Sequence, residues 1–266
     1  MASARAATAL VPLLQASAGL PGGALWRADE LYCPPSRSQC VPTGFAALDA
    51  ELPGGGWPRG QIIELLIEQP GIGELGLLMP ALAATSRSCV WVLPGGPHPE
   101  DRALPYAPAL EQAGIDTTRH IFVRPEGARQ GAWALEQSLR AGHLGAVLGW
   151  LSEPGGMDAD FRALRRLHLL AHRGEALVFV LRPARAARAP SPAPLRLQLE
   201  ADEDGLQVRL LKRRGRPLLE PIALQVHPQR WSRARAAAPA SAEPSLLQRL
   251  TGLVGRPQPW AQALPE

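Results

Sequence analysis

Residues 61–78 constrain the fold more than any other part of this chain. Residues 61–67 form an apolar run that begins after Gln61 and that only Glu64 interrupts, which is typical of a strand buried on both faces of a mostly parallel sheet. Gly71 and Gly73 follow in a loop of the phosphate-binding kind, and a helix is predicted from about residue 75 to residue 85. A strand, a glycine turn and a helix in this order predict an α/β core.

Shorter strands and helices alternate along the rest of the core. Apolar strands are predicted at residues 89–93, 121–123, 145–151 and 176–181, with helices between them, as in a doubly wound sheet. Residues 195–200 and 206–210 then alternate apolar and polar side chains around a turn at residues 202–205, and residues 222–226 supply another strand. The chain is therefore predicted to have a mostly parallel central sheet with an antiparallel hairpin toward its C-terminal side.

One predicted helix, over residues 158–173, separates apolar from basic side chains. Gly174 is expected to end it. The residues predicted to face inward are Phe161, Leu164, Leu167 and Ala171, and those predicted to face outward are Arg162, Arg165, Arg166 and Arg173.

Three parts of the chain differ in composition. Residues 1–40 predict short helices that form a flap over the core, with a partner-binding site as the alternative. Residues 41–231 predict the core, and residues 232–266 begin with a linker of Ala, Arg, Ser and Pro. A short amphipathic tail helix follows over residues 245–254. Its apolar face is predicted to bind a groove on a partner protein, with packing on its own core as the alternative. The tail residues predicted for this contact are Leu246, Leu247, Leu250, Leu253 and Trp260.

The phosphate-type loop lacks the side chains that hold a nucleoside triphosphate. With the spacing G-x-x-x-x-G-K-S/T, Glu68 stands at the first glycine, Glu74 at the lysine and Leu75 at the hydroxyl residue. A carboxylate repels a triphosphate, and Lys212, the only lysine of the chain, lies in a late strand. The predicted strand at residues 145–151 also ends without an acid for Mg²⁺. The chain is therefore predicted to be no enzyme and to hold no nucleotide, and the loop, with Gly71 and Gly73, is interpreted as a structural relic.

No metal ion, other cofactor or membrane association is predicted. The three cysteines show no metal-ligand spacing, and His168 and His172, four residues apart on one helix, have no third ligand in the sequence. No apolar run approaches the roughly 18 residues of a membrane span. Residues 1–18 loosely imitate a signal peptide, but the apolar run is short, so the cytoplasm is the favoured location.

The order and spacing of several motifs resemble the RecA recombinase core over residues 41–231. A Thr-Gly pair at residues 43–44, a Leu-Asp pair at 48–49 and a glycine-rich series at 54–64 precede the phosphate-type loop, as similar series do in RecA. The resemblance continues through residues 114–116, the predicted fourth strand, residues 178–182 and the hairpin at 195–208. Together with the lost lysine, an Ala-Leu-Trp-Arg stretch at residues 24–27 is similar to ImuA, the RecA-like, SulA-related accessory family of bacterial mutagenic translesion synthesis.

The resemblance to ImuA implies a RecA-like fold and a protein without catalytic activity of its own. It implies SOS-induced expression, and action beside ImuB, an inactive Y-family polymerase homologue, and an error-prone C-family polymerase. The expected location is the cytoplasm, at the nucleoid during DNA damage. RecA, single-stranded DNA and a second copy of the chain are further candidate partners. Two other functions stay open: a modulator that binds single-stranded DNA or RecA filaments, and a SulA-like cell-division inhibitor, which relatedness alone supports.

Two basic segments are candidates for contact with DNA phosphates, and the formal net charge of +4 permits such a partner without requiring one. In RecA, a mobile loop that contacts single-stranded DNA occupies the position of the first segment. This segment has no aromatic residue for stacking on bases, and a disordered basic loop is the alternative. The second segment lies at a strand end or turn, where simple solvation is the alternative. The candidate residues are Arg182, Arg185 and Arg188 in the first segment, and Lys212, Arg213, Arg214 and Arg216 in the second.

Overall fold

An eight-stranded, mostly parallel sheet forms the centre of the molecule in a computed structural model, which describes residues 39–95, 104–151, 160–203 and 205–226. Two short strands, β1 (Cys40–Val41) and β2 (Trp57–Pro58), pair with each other outside this sheet. The strands of the sheet are β3 (Ile62–Ile67), β4 (Cys89–Val92), β5 (His120–Val123), β6 (Ala146–Trp150), β7 (Leu177–Pro183), β8 (Leu195–Asp202), β9 (Gly205–Lys212) and β10 (Ile222–Leu224). Their spatial order is β10-β9-β8-β3-β7-β6-β4-β5.

Helices cover both faces of this sheet. They are α1 (Ala46–Glu51), α2 (Glu74–Ala83), α3 (Ala107–Gln112), α4 (Ala128–Ala141) and α5 (Phe161–Ala171), with 3-10 helices at Thr117–Arg119 and Ala184–Arg188. On one face of the sheet, an apolar cluster contains Leu48 of α1, Leu77 of α2 and Leu110 of α3. On the other face, a second apolar cluster contains residues of α4 and α5. Because β3 is buried on both faces, its side chains need no alternation of apolar and polar types.

The predicted α/β fold and antiparallel hairpin are confirmed. Strands β3, β7, β6, β4 and β5 run parallel, as do β3 and β8, whereas β8, β9 and β10 pair antiparallel. The sequence patterns locate each strand of the eight-stranded sheet to within about two residues, which is the usual uncertainty of element ends, but they do not predict β1 and β2. No helix within the described residues has both the length and the apolar character needed to cross a membrane.

Helix α5 begins later than the sequence predicts, and the prediction that Phe161 lies in the core is wrong. Asp160 caps the helix, because its carboxylate accepts a hydrogen bond from the backbone N–H of Ala163 at 2.7 Å. Leu164 and Leu167 are buried as predicted, but Phe161 is 41% exposed. At 3.6 residues per turn, Phe161 lies roughly 90° around the helix from the centre of the buried stripe.

We predict that His120 makes the stability of the fold depend on pH. The indole N–H of Trp91 donates to Nδ1 of His120 at 2.8 Å, which requires this nitrogen to be unprotonated. Burial lowers the pKa of His120 below its ordinary value, and the Asp116 carboxylate opposes this shift only partly. The unfolded chain therefore takes up this proton first as the pH falls. The stability from His120 is complete above pH 6.5 and is lost as the pH falls from 6.5 through the lower pKa of the folded state.

Urea unfolding above and below this window tests the prediction. His120→Asn keeps a hydrogen-bond acceptor for Trp91 but removes the titration, so its stability is expected to fall less on acidification. The expected difference from the unmodified protein is about 1 kcal/mol, the usual value of one hydrogen bond. Equal loss of stability in both proteins would contradict the assignment to His120.

Candidate functional site

The phosphate-type loop, residues 68–73, joins the carboxyl end of β3 to the N-terminus of α2. Gly71 and Gly73 have φ angles of 90° and 105°, in the left-handed region that glycine tolerates and other residues avoid. Gly73 is the N-cap of α2, and Glu74 is the first residue of the helix. The glycines that the sequence assigned to a tight turn are therefore required by the backbone of that turn.

The carboxylate of Glu74 folds back onto the loop that precedes it. The backbone N–H of Gly71 donates to Oε1 at 2.9 Å and to Oε2 at 3.1 Å, and the N–H of Gly73 donates to Oε2 at 3.2 Å. Glu74 is only 4% exposed. Backbone N–H groups at the start of a helix, with the positive end of its dipole, form the usual binding site for a phosphate group. In this chain, the acceptor at that position is the protein's own carboxylate.

None of the other residues in or beside the loop offers a cationic or hydroxyl side chain that could bind a phosphate. Glu68 is exposed at the start of the loop, and the apolar side chain of Leu75 packs against the core. Among the described residues, β4, β6 and β7 end without an acidic side chain, and no group of three or more His, Cys, Asp or Glu residues is arranged to hold a metal ion. In this structure, the N–H groups of Gly71 and Gly73 are therefore occupied by the carboxylate of Glu74.

A buried ionic cluster lies on the sheet face that carries α4 and α5. Glu64 of β3 is fully buried and accepts hydrogen bonds from the guanidinium groups of Arg182 on β7 at 3.0 Å and Arg196 on β8 at 2.6 Å. The hydroxyl group of Ser191 donates to the same carboxylate at 2.5 Å. We call Glu64, Arg182, Ser191 and Arg196 the buried ionic cluster. The register explains it, because Glu64 lies directly opposite Arg196 and diagonally opposite Arg182.

The same cluster holds residues 184–194, which we call the strap, against the sheet. Arg196 donates to the backbone carbonyl of Ala186 at 2.7 Å and to those of Ala187 and Ala189 at 3.4 and 3.3 Å. The strap begins with the 3-10 helix Ala184–Arg188 and ends at Pro194, before β8. A segment predicted as a mobile or disordered loop is thus an ordered element fixed by a buried arginine.

The prediction that Arg182 contacts DNA is wrong. Its side chain is 2% exposed and ion-paired with Glu64, because β7 continues through Arg182 to Pro183 and buries this residue within the sheet. Arg185 and Arg188 lie on the strap with exposed side chains. The three arginines were predicted to form one basic patch. In the structure, Arg182 is buried, whereas Arg185 and Arg188 are exposed.

The second basic segment lies at the end of β9, and its residues also differ in their exposure and contacts. The guanidinium group of Arg213 is bound to the carboxylate of Glu51 at 2.9 Å, to the backbone carbonyl of Glu51, and to the carbonyl of Arg216 at 2.7 Å. Its side chain is only 12% exposed, so the DNA prediction for Arg213 is wrong as well. The ammonium group of Lys212 donates to the carbonyl of Ser191 in the strap at 3.0 Å, while Arg214 and Arg216 are exposed.

The two helix histidines form a pair on the outer side of α5. The Nε2 atoms of His168 and His172 are 3.0 Å apart, and Nδ1 of His168 is buried without a hydrogen-bond partner. Burial lowers the pKa of His168, and the nearby His172, Arg214, Lys212 and Arg165 lower it further. The histidine pair therefore lies in a strongly cationic environment, which does not suit a metal cation.

Sequence reasoning missed the role of Glu64 and Arg196. The available signal was the single acid in the apolar run of β3, since a buried carboxylate requires cationic partners from neighbouring strands. The predicted flap at residues 1–40 lies outside the described residues except for its last two. The tail residues Leu246, Leu247, Leu250, Leu253 and Trp260 also lie outside them, so their role stays a prediction. No protein-family model and no curated protein matches this chain.

Proposed function

We propose that this chain is a non-catalytic, RecA-like accessory protein of SOS-induced mutagenic translesion DNA synthesis. In this role it acts in the cytoplasm, at the nucleoid during DNA damage, and assembles with an ImuB-type inactive Y-family polymerase homologue and an error-prone C-family polymerase. The resemblance of residues 41–231 to the RecA core motifs, and of the N-terminal stretch to ImuA, supplies the identity of the partners.

The observation that carries the non-catalytic part is the position of Glu74. Its carboxylate accepts hydrogen bonds from the N–H groups of Gly71 and Gly73, which are the groups that a bound phosphate would require. A phosphate in the same place would meet both a steric block and a like charge. The loop still connects β3 to α2. The carboxylate stabilises this connection because it accepts hydrogen bonds from backbone N–H groups at the start of the helix.

The buried ionic cluster supports an assembly role over a mechanical one. Here three carbonyl groups of the strap are bound by Arg196, and Ser191 is bound to Glu64. A rigid core of this kind is suited to presenting surfaces to partners.

We predict that the full chain co-purifies with an ImuB-type polymerase homologue through its tail helix. Leu247→Asp combined with Leu250→Asp places two charges on the apolar face and is expected to reduce the amount retained roughly tenfold or more. Ser245→Asp adds charge at the start of the same helix and serves as the control. Failure of the unmodified chain to retain the polymerase homologue would contradict the proposed assembly, whereas undiminished binding by the double variant would contradict the tail alone.

A further inference from the structure

One side of α5 carries an aromatic residue, an arginine and the histidine pair, none of which the proposed assembly role uses. Phe161, Arg165, His168 and His172 are spaced by four, three and four residues, so they lie on one side of the helix. At 1.5 Å per residue, this row is roughly 16 Å long. The opposite flank of the helix is different, because Arg166 there is ion-paired with Glu136 of α4 at 2.8 Å.

Two further cationic residues come from β9 and the turn after it. Lys212 is the last residue of β9 and pairs with Arg196 near the start of β8, at the end of the sheet opposite the phosphate-type loop. Lys212 donates to the carbonyl of Ser191 in the strap at 3.0 Å, and Ala193 of the strap packs in the same apolar cluster as Leu164 and Leu167 of α5. The strap therefore connects the end of β9 to α5. Burial lowers the pKa of His168, and the nearby charges of His172, Arg214, Lys212 and Arg165 lower it further. Within the described residues, no carboxylate contributes to this shift. The six residues Phe161, Arg165, His168, His172, Lys212 and Arg214 are called the cationic row below.

Two arginines of this row, Arg165 and Arg214, are exposed and have no acidic partner among the described residues. Arg165 and Arg214 have exposed side chains, and neither makes a hydrogen bond or ion pair within the described part of the chain. Phe161, at the first position of α5, is 41% exposed, and Leu169 beside the row is 55% exposed. Cationic side chains whose described neighbours include no acidic partner favour an anionic ligand, and an exposed aromatic ring adds a flat apolar contact.

We propose that the cationic row binds single-stranded nucleic acid. The phosphate groups of such a strand would contact Arg165, Lys212 and Arg214, and an unpaired base would stack on Phe161. An acidic peptide would use the charges but not the aromatic ring, so the combination favours nucleic acid. This inference does not depend on the proposed polymerase partners.

Fluorescence anisotropy with a labelled single-stranded oligonucleotide and the full chain tests this site. Arg165→Glu combined with Arg214→Glu is expected to raise the Kd by roughly tenfold or more at low salt. Because two phosphate contacts are lost, the slope of log K against log salt should fall by about 1.4. Phe161→Ala should raise the Kd about tenfold through the lost stacking, and Phe161→Trp should restore it.

The matched control is Arg124→Glu with Arg129→Glu, which changes the net charge equally at two exposed arginines near the β5 edge of the sheet, away from the row. Its Kd is expected to change less than about threefold, because the site depends on the row rather than on total charge. Equal weakening in both double variants, or no binding by the unmodified chain at about 50 mM salt, would overturn the proposal. Displacement of the strand by polyglutamate as efficiently as by unlabelled oligonucleotide would also overturn it, in favour of an acidic protein ligand.

Discussion

Glu64→Ala is expected to lower the free energy of unfolding by about 3–5 kcal/mol, because it leaves two buried guanidinium groups without their counter-ion. Arg182 and Arg196 are 2% and 8% exposed at their side chains, so water replaces little of the lost interaction. The substitution also removes the hydrogen bond from Ser191, which leaves one end of the strap without its anchor to the sheet. Urea unfolding measured by circular dichroism gives the value directly.

Glu136→Ala is the matched control for this prediction. Glu136 also binds two arginines, Arg140 at 3.3 Å and Arg166 at 2.8 Å, but their side chains are 47% and 56% exposed. Because water can solvate both arginines after the substitution, the expected cost is about 1 kcal/mol. Equal costs for Glu64→Ala and Glu136→Ala would show that burial of the cluster does not determine its contribution.

Replacing all three charged residues of the buried ionic cluster separates the effect of their charges on stability from the effect of their packing. A variant with Glu64→Leu, Arg182→Met and Arg196→Met leaves no buried charge without a partner, so its fold is expected to be more stable than that of Glu64→Ala. Its strap should nevertheless be loosened, because Arg196 no longer binds the carbonyl groups of Ala186, Ala187 and Ala189. Limited trypsin digestion is expected to cut after Arg185 and Arg188 faster than in the unmodified protein.

The sheet could be predicted from the sequence because its signals are local. The apolar run of β3 and the alternation along β8 and β9 depend on periods within single strands. The buried ionic cluster depends instead on register between strands that are far apart in sequence. Glu64 lies opposite Arg196 only because β3 lies between β7 and β8. An arginine at the end of an apolar strand therefore looked like the start of a basic surface loop.

The cationic row also depends on contacts between residues far apart in sequence, which local patterns do not predict. The positions of Arg165 and His168 on the outer side of α5 follow from helical periodicity, but Phe161 was assigned to the core because its residue type is apolar. Lys212 and Arg214 were grouped with Arg213 because they are adjacent in sequence. Only the fold shows that Arg213 binds Glu51, while Lys212 and Arg214 lie near α5.

At the phosphate-type loop, the sequence predicted the lost lysine but not the use of the residue that replaces it. Glu74 was interpreted only as a repulsive charge. Its carboxylate in fact accepts hydrogen bonds from N–H groups one and three residues earlier in the chain. This contact requires Gly71 and Gly73 to adopt left-handed backbone angles, which the motif spacing alone does not specify.

Glu74→Ala is expected to convert the loop from a self-occupied state into an anion site. Removing the carboxylate should lower the stability by about 1–2 kcal/mol, because the N–H groups of Gly71 and Gly73 lose a charged acceptor at the positive end of α2. Pyrophosphate should restore part of that loss by binding the freed N–H groups, with a stabilisation that grows with its concentration. The unmodified protein should show no such shift. Thermal unfolding with increasing pyrophosphate measures both effects in the same experiment.

Glu74→Lys combined with Leu75→Thr extends this argument from an anion to a nucleotide. These two changes supply the lysine and hydroxyl of the phosphate-loop pattern on a backbone that already has the required glycine turn. Equilibrium titration with labelled ATP is expected to give a Kd weaker than about 1 mM for the unmodified chain and roughly tenfold tighter binding for the double variant. Glu74→Gln is the control, since it keeps the shape and one acceptor of the side chain and should not gain ATP binding. Micromolar affinity in the unmodified chain would mean that a triphosphate displaces the Glu74 carboxylate, and the non-catalytic assignment would lose its physical basis.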